Sequence, residues 1–219
     1  KTTACSITGR GMVSGENFIW RASKQNPAVP AREPYWRNSV KLLETGKRYH
    51  IEGITLVNSP HYVCNTSSRG RVHNIKIIGS WRWNNDGLDV TENSVVENCF
   101  VSAFDDAFKL YYSGGRVKDC VVWQMNNGAV FQLGWWGKSP RDVVVENIDV
   151  IHTEFTGTNE NWGLIALARN NGRGTICNYT FKNIFMEGPV ARIIALHLHE
   201  SPGQKIENIR ITNLSVERI

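Results

Sequence analysis

Two short segments carry acids in a repeating frame: Asn85-Asp86-Gly87-Leu88-Asp89-Val90 and Asp105-Asp106-Ala107-Phe108-Lys109-Leu110. Aligning the apolar pair Leu88 and Val90 with Phe108 and Leu110 puts Asp86 beside Asp106 and Asp105 level with Asn85. If these are neighbouring strands, their backbones lie about 4.8 Å apart and three carboxyl groups share one small patch. Like charges held so close disfavour joint ionisation and raise at least one pKa. A protonated carboxyl beside an ionised one is the acid and base pair of glycoside hydrolysis, one protonating the leaving oxygen and the other activating water. The competing reading is that Asp86 and Asp106 are corner residues making Asx-turns, with Lys109 neutralising them.

The outward positions of the same frame are Asp89, Lys109 and Gln132, flanked by Trp81, Trp83, Tyr111, Trp135 and Trp136. Aromatic planes beside hydrogen-bonding side chains suit sugar rings, so Trp83, Asn85, Asp89, Lys109, Tyr111, Gln132, Trp135 and Trp136 are candidate substrate-binding residues. For Asp89 and Lys109 a stacked surface ion pair explains the pattern equally well. For the tryptophans the plainer explanation is packing at a rim.

Something must hold these residues in register, and the chain repeats. Asn, Asp or Gly followed by alternating apolar residues recurs at Gly53-Ile54-Thr55-Leu56, Asn74-Ile75-Lys76-Ile77, Asn98-Cys99-Phe100-Val101, Asp119-Cys120-Val121-Val122, Asn147-Ile148-Asp149-Val150, Asn183-Ile184-Phe185-Met186 and Asn213-Leu214-Ser215-Val216, first at intervals of 21, 24 and 21 residues. A second strand phase follows, as Leu88-Asp89-Val90, Phe108-Lys109-Leu110, Phe131-Gln132-Leu133, Ile165-Ala166-Leu167 and Ile194-Ala195-Leu196. Strands of three to five residues cannot each bury an apolar face alone, but stacked as coils they form one continuous core. The expected fold is all-β, a right-handed single-stranded parallel β-helix. An antiparallel sandwich is the alternative, and tight two-residue hairpin signals are scarce. Asparagine at one corner of successive coils tolerates the left-handed backbone and can ladder its amide with the coil above. That accounts for 21 Asn in 219 residues. The proline-rich stretch Ser23 to Arg37, Thr156 to Trp162 and Asn170 to Gly174 read as excursions from the coils.

Composition narrows the function. With 41% hydrophobic and 21% charged residues the chain can bury a core, and one domain is expected. The net charge of +5 is scattered, without a basic run, so no nucleic-acid partner is expected. Cys5, Cys64, Cys99, Cys120 and Cys177 show no metal-ligand spacing and read mainly as core thiols. No metal, no cofactor and no membrane partner are expected. The Asn-x-Ser/Thr sites at Asn65, Asn178 and Asn213 are about as many as chance supplies.

Trp83-Asn84-Asn85-Asp86-Gly87-Leu88, Asp105-Asp106-Ala107-Phe108-Lys109-Leu110-Tyr111, Val121-Val122-Trp123, Asn127-Gly128-Ala129-Val130-Phe131-Gln132-Leu133-Gly134-Trp135 and Asp149-Val150-Ile151-His152 resemble, in this order, the glycoside hydrolase family 49 proteins, the dextranases and isopullulanases. The segments Ile7 to Glu16 and Ala191-Arg192-Ile193-Ile194-Ala195-Leu196 extend the resemblance over nearly the whole chain. It implies a secreted, extracellular, monomeric, inverting endo-hydrolase of an α-glucan such as dextran or pullulan. It further implies Asp105 as general acid, Asp86 and Asp106 as the residues that position or deprotonate water, and Arg192 as a substrate contact. Tyr112 and Ala129 depart from the family's pattern, leaving α-1,6 against α-1,4 linkage open. The more distant polygalacturonases share a three-aspartate layout but carry Gly-His-Gly and Arg-Ile-Lys segments, neither of which occurs here. A non-catalytic carbohydrate-binding solenoid, as in an adhesin or tailspike, and a lyase of the same fold are the rival functions. The resemblance also makes residues 1–219 a β-helical catalytic section of a longer chain, without the family's amino-terminal β-sandwich domain.

Overall fold

In a computed structural model the chain winds as stacked coils, each contributing a strand to up to three faces. The structure describes residues 4–15, 41–78, 84–135, 138–155, 162–167, 173–190, 192–198 and 203–218. The stretch from Ser23 to Arg37, residues 156–161 and residues 170–172, read above as excursions, lie outside them, as do Trp81, Trp83 and Trp136. The first coil holds β1 (Cys5–Thr8), β2 (Met12–Ser14) and β3 (Leu43–Glu44), and the second β4 (Tyr49–Glu52), β5 (Thr55–Val57) and β6 (Cys64–Asn65). Next come β7 (Arg71–His73), β8 (Lys76–Ile78) and β9 (Leu88–Asp89), then β10 (Val95–Glu97), β11 (Phe100–Ala103) and β12 (Phe108–Lys109). Later coils hold β13 (Arg116–Gln124) with β14 (Ala129–Gln132), β15 (Arg141–Thr153) with β16 (Gly163–Leu167), β17 (Gly174–Pro189) with β18 (Ile194–Leu196), and finally β19 (Gln204–Arg218).

Every strand pairing among the described residues is parallel, which is the β-helix and excludes the sandwich. Parallel neighbours reached by a full coil are right-handed crossovers. The order β3, β6, β9, β12, β14, β16, β18 makes a 7-stranded sheet, and the remaining strands join in a 12-stranded one. The core is built from columns of equivalent residues. Ile51, Val72, Val96, Val117, Val145 and Phe181 stack inward on one face. Leu56, Ile77, Val101, Val122, Val150 and Met186 do so on the second. On the third, Cys64, Leu88, Phe108, Phe131 and Ile165 follow one another, with the Phe108 and Phe131 rings stacked at 5.9 Å. Each coil leaves its apolar edge bare, and its neighbours cover it.

The repeat corner is where the asparagines work. Gly53, Asn74, Asn98, Asp119, Asn147, Asn183 and Asn213 all have positive φ. Asn213 donates to Asn183 at 2.8 Å, Asn183 to Asn147 at 2.9 Å and Asn147 to Asp119 at 2.9 Å. The structure adds two features to the sequence reading. A second positive-φ column, Arg48, Arg69, Asn93, Asp142, Asn178 and Asn208, opens the coils, with its own amide ladder from Asn208 through Asn178 to Asp142. Strands β13, β15, β17 and β19 are also longer than the expected three to five residues, running straight through the corner. A single left-handed residue bends the ladder there without breaking it, because its side-chain amide continues the bonding between coils.

Candidate active site

The 7-stranded sheet and the turns leading into it assemble the acids. Lys109 pairs with Asp89 and Gln132, the register expected from the apolar frame. The ladder extends into the preceding turns, where Gly87 N–H donates to the Asp106 carbonyl at 2.9 Å and Asp105 N–H to the Asn85 carbonyl at 3.3 Å. Asp86 and Asp106 therefore occupy one column in adjacent coils, with Asp105 alongside. Carboxylate oxygens of the three lie within 4.8 Å of one another. All three are nearly enclosed, at 5%, 6% and 2% exposure for Asp86, Asp105 and Asp106.

Each carboxyl has a different set of partners. Asp105 accepts from the Asn84 N–H at 3.1 Å, the Asp106 N–H at 3.0 Å and the Asn127 amide at 2.6 Å. Asp106 accepts four bonds, from Ala129 N–H at 3.0 Å and from the Gln132 amide, the Tyr111 hydroxyl and the Trp135 indole at 3.3 Å each. Asp86 is paired with Lys109 Nζ at 2.9 Å. Burial pushes all three up from the usual carboxylate range. Asp105 rises well above it, because the charges of Asp86 and Asp106 add to its desolvation. Burial lifts Asp86 to about 7 against the opposing pull of Lys109. Asp106 is raised by burial, opposed by Ala129 N–H, the Trp135 indole, Lys109 and Gln132. No other group of His, Cys, Asp or Glu among the described residues has spacing suited to a cation, and here the chain supplies its own positive charge in Lys109.

The candidate binding residues divide by exposure. Trp135 is 38% exposed with its indole N–H on Asp106, an exposed aromatic side chain beside the acids. Tyr111 is buried against Asp106. Asn85 and Gln132 have no exposed surface; the Asn85 amide donates to the Ser59 and His61 carbonyls at 3.0 and 2.8 Å. Asp89 and Lys109 are also buried, so neither is the surface ion pair that was one reading of their pattern. Arg192 is exposed, in the column that continues from Asp106 through Ala129 and Gly163, where Leu164 N–H donates to its carbonyl at 3.0 Å. Three coil steps separate it from Asp106, roughly 14 Å along the axis. Trp83 and Trp136 lie outside the described residues.

Four residues were not singled out from the sequence as site residues. Gln124 donates to the carbonyls of Asp105 and Asn127 at 2.8 and 2.6 Å, tying the turn to the acid. Asn127 holds the Asp105 carboxylate directly. Gly128 has φ +68, and a Cβ there would sit 2.5 Å from Asp105 Oδ1 and 2.5 Å from Asp106 N. The Tyr62 ring lies 4.0 Å from Lys109 Nζ. Asn127-Gly128 is a legible turn signal, whereas nothing local marks Tyr62, which precedes a strand of only two residues.

Comparison with known proteins bears out the resemblance. Isopullulanase of Aspergillus niger is 25% identical, in an alignment covering 96% of this chain and 41% of that protein. A dextranase of Arthrobacter globiformis is 26% identical over 96% of this chain and 36% of its own length. Among solved structures, Dex49A from Penicillium minioluteum shares the fold with a TM-score of 0.71 at 21% identity, covering 96% of this chain and 40% of that one. The chain thus spans about two fifths of the length of these relatives. No protein-family model matches it.

Proposed function

We propose that this β-helix carries the catalytic centre of a secreted glycoside hydrolase that cleaves an α-glucan within the polymer, with inversion at the anomeric carbon. The observation that carries the proposal is the row of Asp86, Asp105 and Asp106, three enclosed carboxyls with oxygens within 4.8 Å of one another beside the exposed Trp135. The similarity to isopullulanase and dextranases supports an α-glucan as substrate. Asp105, the group raised well above the ordinary range, is the proposed general acid, since a carboxyl that keeps its proton near neutrality can give it to a leaving glycosidic oxygen. Asp106, with four donors and the nearby ammonium of Lys109, and Asp86, paired with that ammonium, are the groups suited to ionise.

A water at about 2.7 Å from each of two carboxylate oxygens can bridge a gap of up to roughly 5.4 Å, so the spacing of the row suits one bridging water. That water loses a proton to Asp86 or Asp106 as it attacks the anomeric carbon, and the Asp105 proton passes to the departing oxygen. The facing oxygens are closer than the roughly 6.5–9.5 Å between carboxyl groups typical of inverting pairs. Attack from a water bridging the row is therefore part of the proposal, and the anomer first released checks it. Trp135 would stack on a sugar face, and Arg192 would contact the same chain several units away. The reaction is proposed to take place outside the cell, and all three acids come from one copy of the chain.

Reducing-end release from dextran, pullulan and acidic polysaccharides, measured side by side, tests the reading. New reducing ends from dextran or pullulan are expected. Retention of polymer without cleavage would instead make the chain a binding solenoid, and unsaturated products from a uronate polymer would make it a lyase.

A further inference from the structure

Lys109 sits inside the acid cluster with nothing left over for a substrate. It is 6% exposed, and its ammonium lies 2.9 Å from Asp86 Oδ2, 2.7 Å from Asp89 Oδ1 and 4.0 Å from the centre of the Tyr62 ring. An ammonium has three donors and no acceptor, so two carboxylates and a ring face satisfy it. Asp89 is fixed in turn, since the Asn65 amide donates to its other oxygen at 2.5 Å and the Thr66 hydroxyl donates to its carbonyl at 3.0 Å. Asn65, Asp89, Lys109 and Gln132 are one column through four successive coils, so the repeat itself sets this contact chain.

We infer that Lys109 is a positioning residue for the hydrolysis proposed above: clamped between Asp86 and Asp89, it makes Asp86 the more readily ionised of the pair Asp86 and Asp105 and leaves the proton to Asp105. The inference rests on that proposed function. It also explains two acids, Asp86 and Asp89, around one ammonium. Asp89 holds the ammonium in place at the cost of part of its charge, so Lys109 and Asp89 act on Asp86 in opposite senses. Burial alone would strip the Lys109 proton, but the two carboxylates outweigh burial and pull it up. The other titratable groups facing this point are His61, Tyr62, Asp105, Asp106 and Tyr111. His61 is pushed down to about 4 by burial and the Lys109 charge and is neutral at working pH. Tyr62 rises to about 12 and Tyr111 stands well above its ordinary value, both through burial, so both are neutral as well. With Asp105 holding the proton, Asp106 is the remaining charge that acts on Asp86 beside Lys109 and Asp89, and none of the groups facing it except Lys109 is positive.

The test compares Lys109→Met, Lys109→Arg and Asp89→Asn with the parent in two readouts. One is the pH profile of kcat/KM on whichever glucan the parent cleaves, and the other is the carboxyl ¹³C titration of Asp86 in each protein. An opposite charge within 4–6 Å is worth about 1–3 pH units, so Lys109→Met is expected to move the acidic limb and the Asp86 titration upward by at least about one unit. Asp89→Asn is expected to move both downward, and Lys109→Arg to leave both within about half a unit of the parent. A lysine that merely braced the fold would lower kcat and melting temperature and move neither midpoint. Unchanged midpoints, or Met and Asn variants shifting in the same direction, would overturn the inference. If Lys109→Met fails to fold, the Asp89→Asn and Lys109→Arg titrations decide it. A parent without activity on any glucan would refute the proposed function, while the Asp86 titration would still decide the clamp.

Discussion

Gly128→Ala adds one methyl group at the point where the β-helix turns under its acids. Gly128 has φ +68, a region that costs an L-residue about 1–2 kcal/mol. The new Cβ would lie 2.5 Å from Asp105 Oδ1 and from Asp106 N, and 2.7 Å from the Asp105 carbonyl carbon. Those first two atoms are already bonded to each other at 3.0 Å, so the methyl intrudes on that hydrogen bond. Reaching ordinary contact at 3.4 Å requires the Asp105-Asp106 backbone to retreat by about 0.9 Å, and Asn127 and Gln124 hold it on the other side. Overpacking of this kind costs about 1–3 kcal/mol beyond the backbone strain. A misplacement near 1 Å lowers turnover by about 100-fold. Guanidinium unfolding and initial rates of reducing-end release measure the two effects, with Gly46→Ala, whose Cβ would meet nothing within 4 Å, as the control. Turnover of Gly128→Ala within a few-fold of the parent would refute the placement of this turn against the acids.

Two further predictions follow from the corners and the acids. At Asn183, with φ 55 and amide bonds to Asn147 and Asn213, Gly preserves the backbone and loses the bonds, whereas Ala loses both. Asn183→Ala should therefore unfold at lower denaturant than Asn183→Gly, by about 0.5–1.5 kcal/mol, and the reverse order would contradict the corner account. The acid row should cost stability near neutral pH. A carboxyl raised in the folded state, such as Asp86 at about 7 against an ordinary 3.8, stabilises fully below the unfolded value and loses that contribution as pH rises through the folded one. Stability should thus fall between about pH 4 and 7, and Asp105→Asn should flatten that fall in urea melts across pH, being most stabilising relative to the parent at the neutral end. An Asn variant whose stability tracks the parent's at every pH would contradict the burial of these charges.

The register of the third face was legible because Leu88, Phe108 and Phe131 each sit in an in-out-in triplet, and the acids two residues earlier came with it. The Asn147, Asn183 and Asn213 corner was legible for the same reason, a residue type tied to one backbone region. The second corner column was not, since it starts with Arg48 and Arg69, which carry no left-handed preference, and its amide ladder begins only at Asp142. The first strand of each coil, such as Arg71–His73, was equally hidden, because its outward residues are polar and only Val72 faces the core. Within the site, the sequence marked Lys109 as polar and outward but could not show that Asp86, Asp89 and Tyr62 close around it. Those contacts come from the two preceding coils.

The central claim is tested most directly by following dextran and pullulan cleavage by ¹H NMR with the parent chain and with Asp105→Asn. The account predicts that the parent releases new reducing ends first in the β configuration, from α linkages, and that Asp105→Asn stays folded but loses about 100-fold or more in rate. First release of the α anomer, or an Asp105→Asn variant that turns over like the parent, would contradict it.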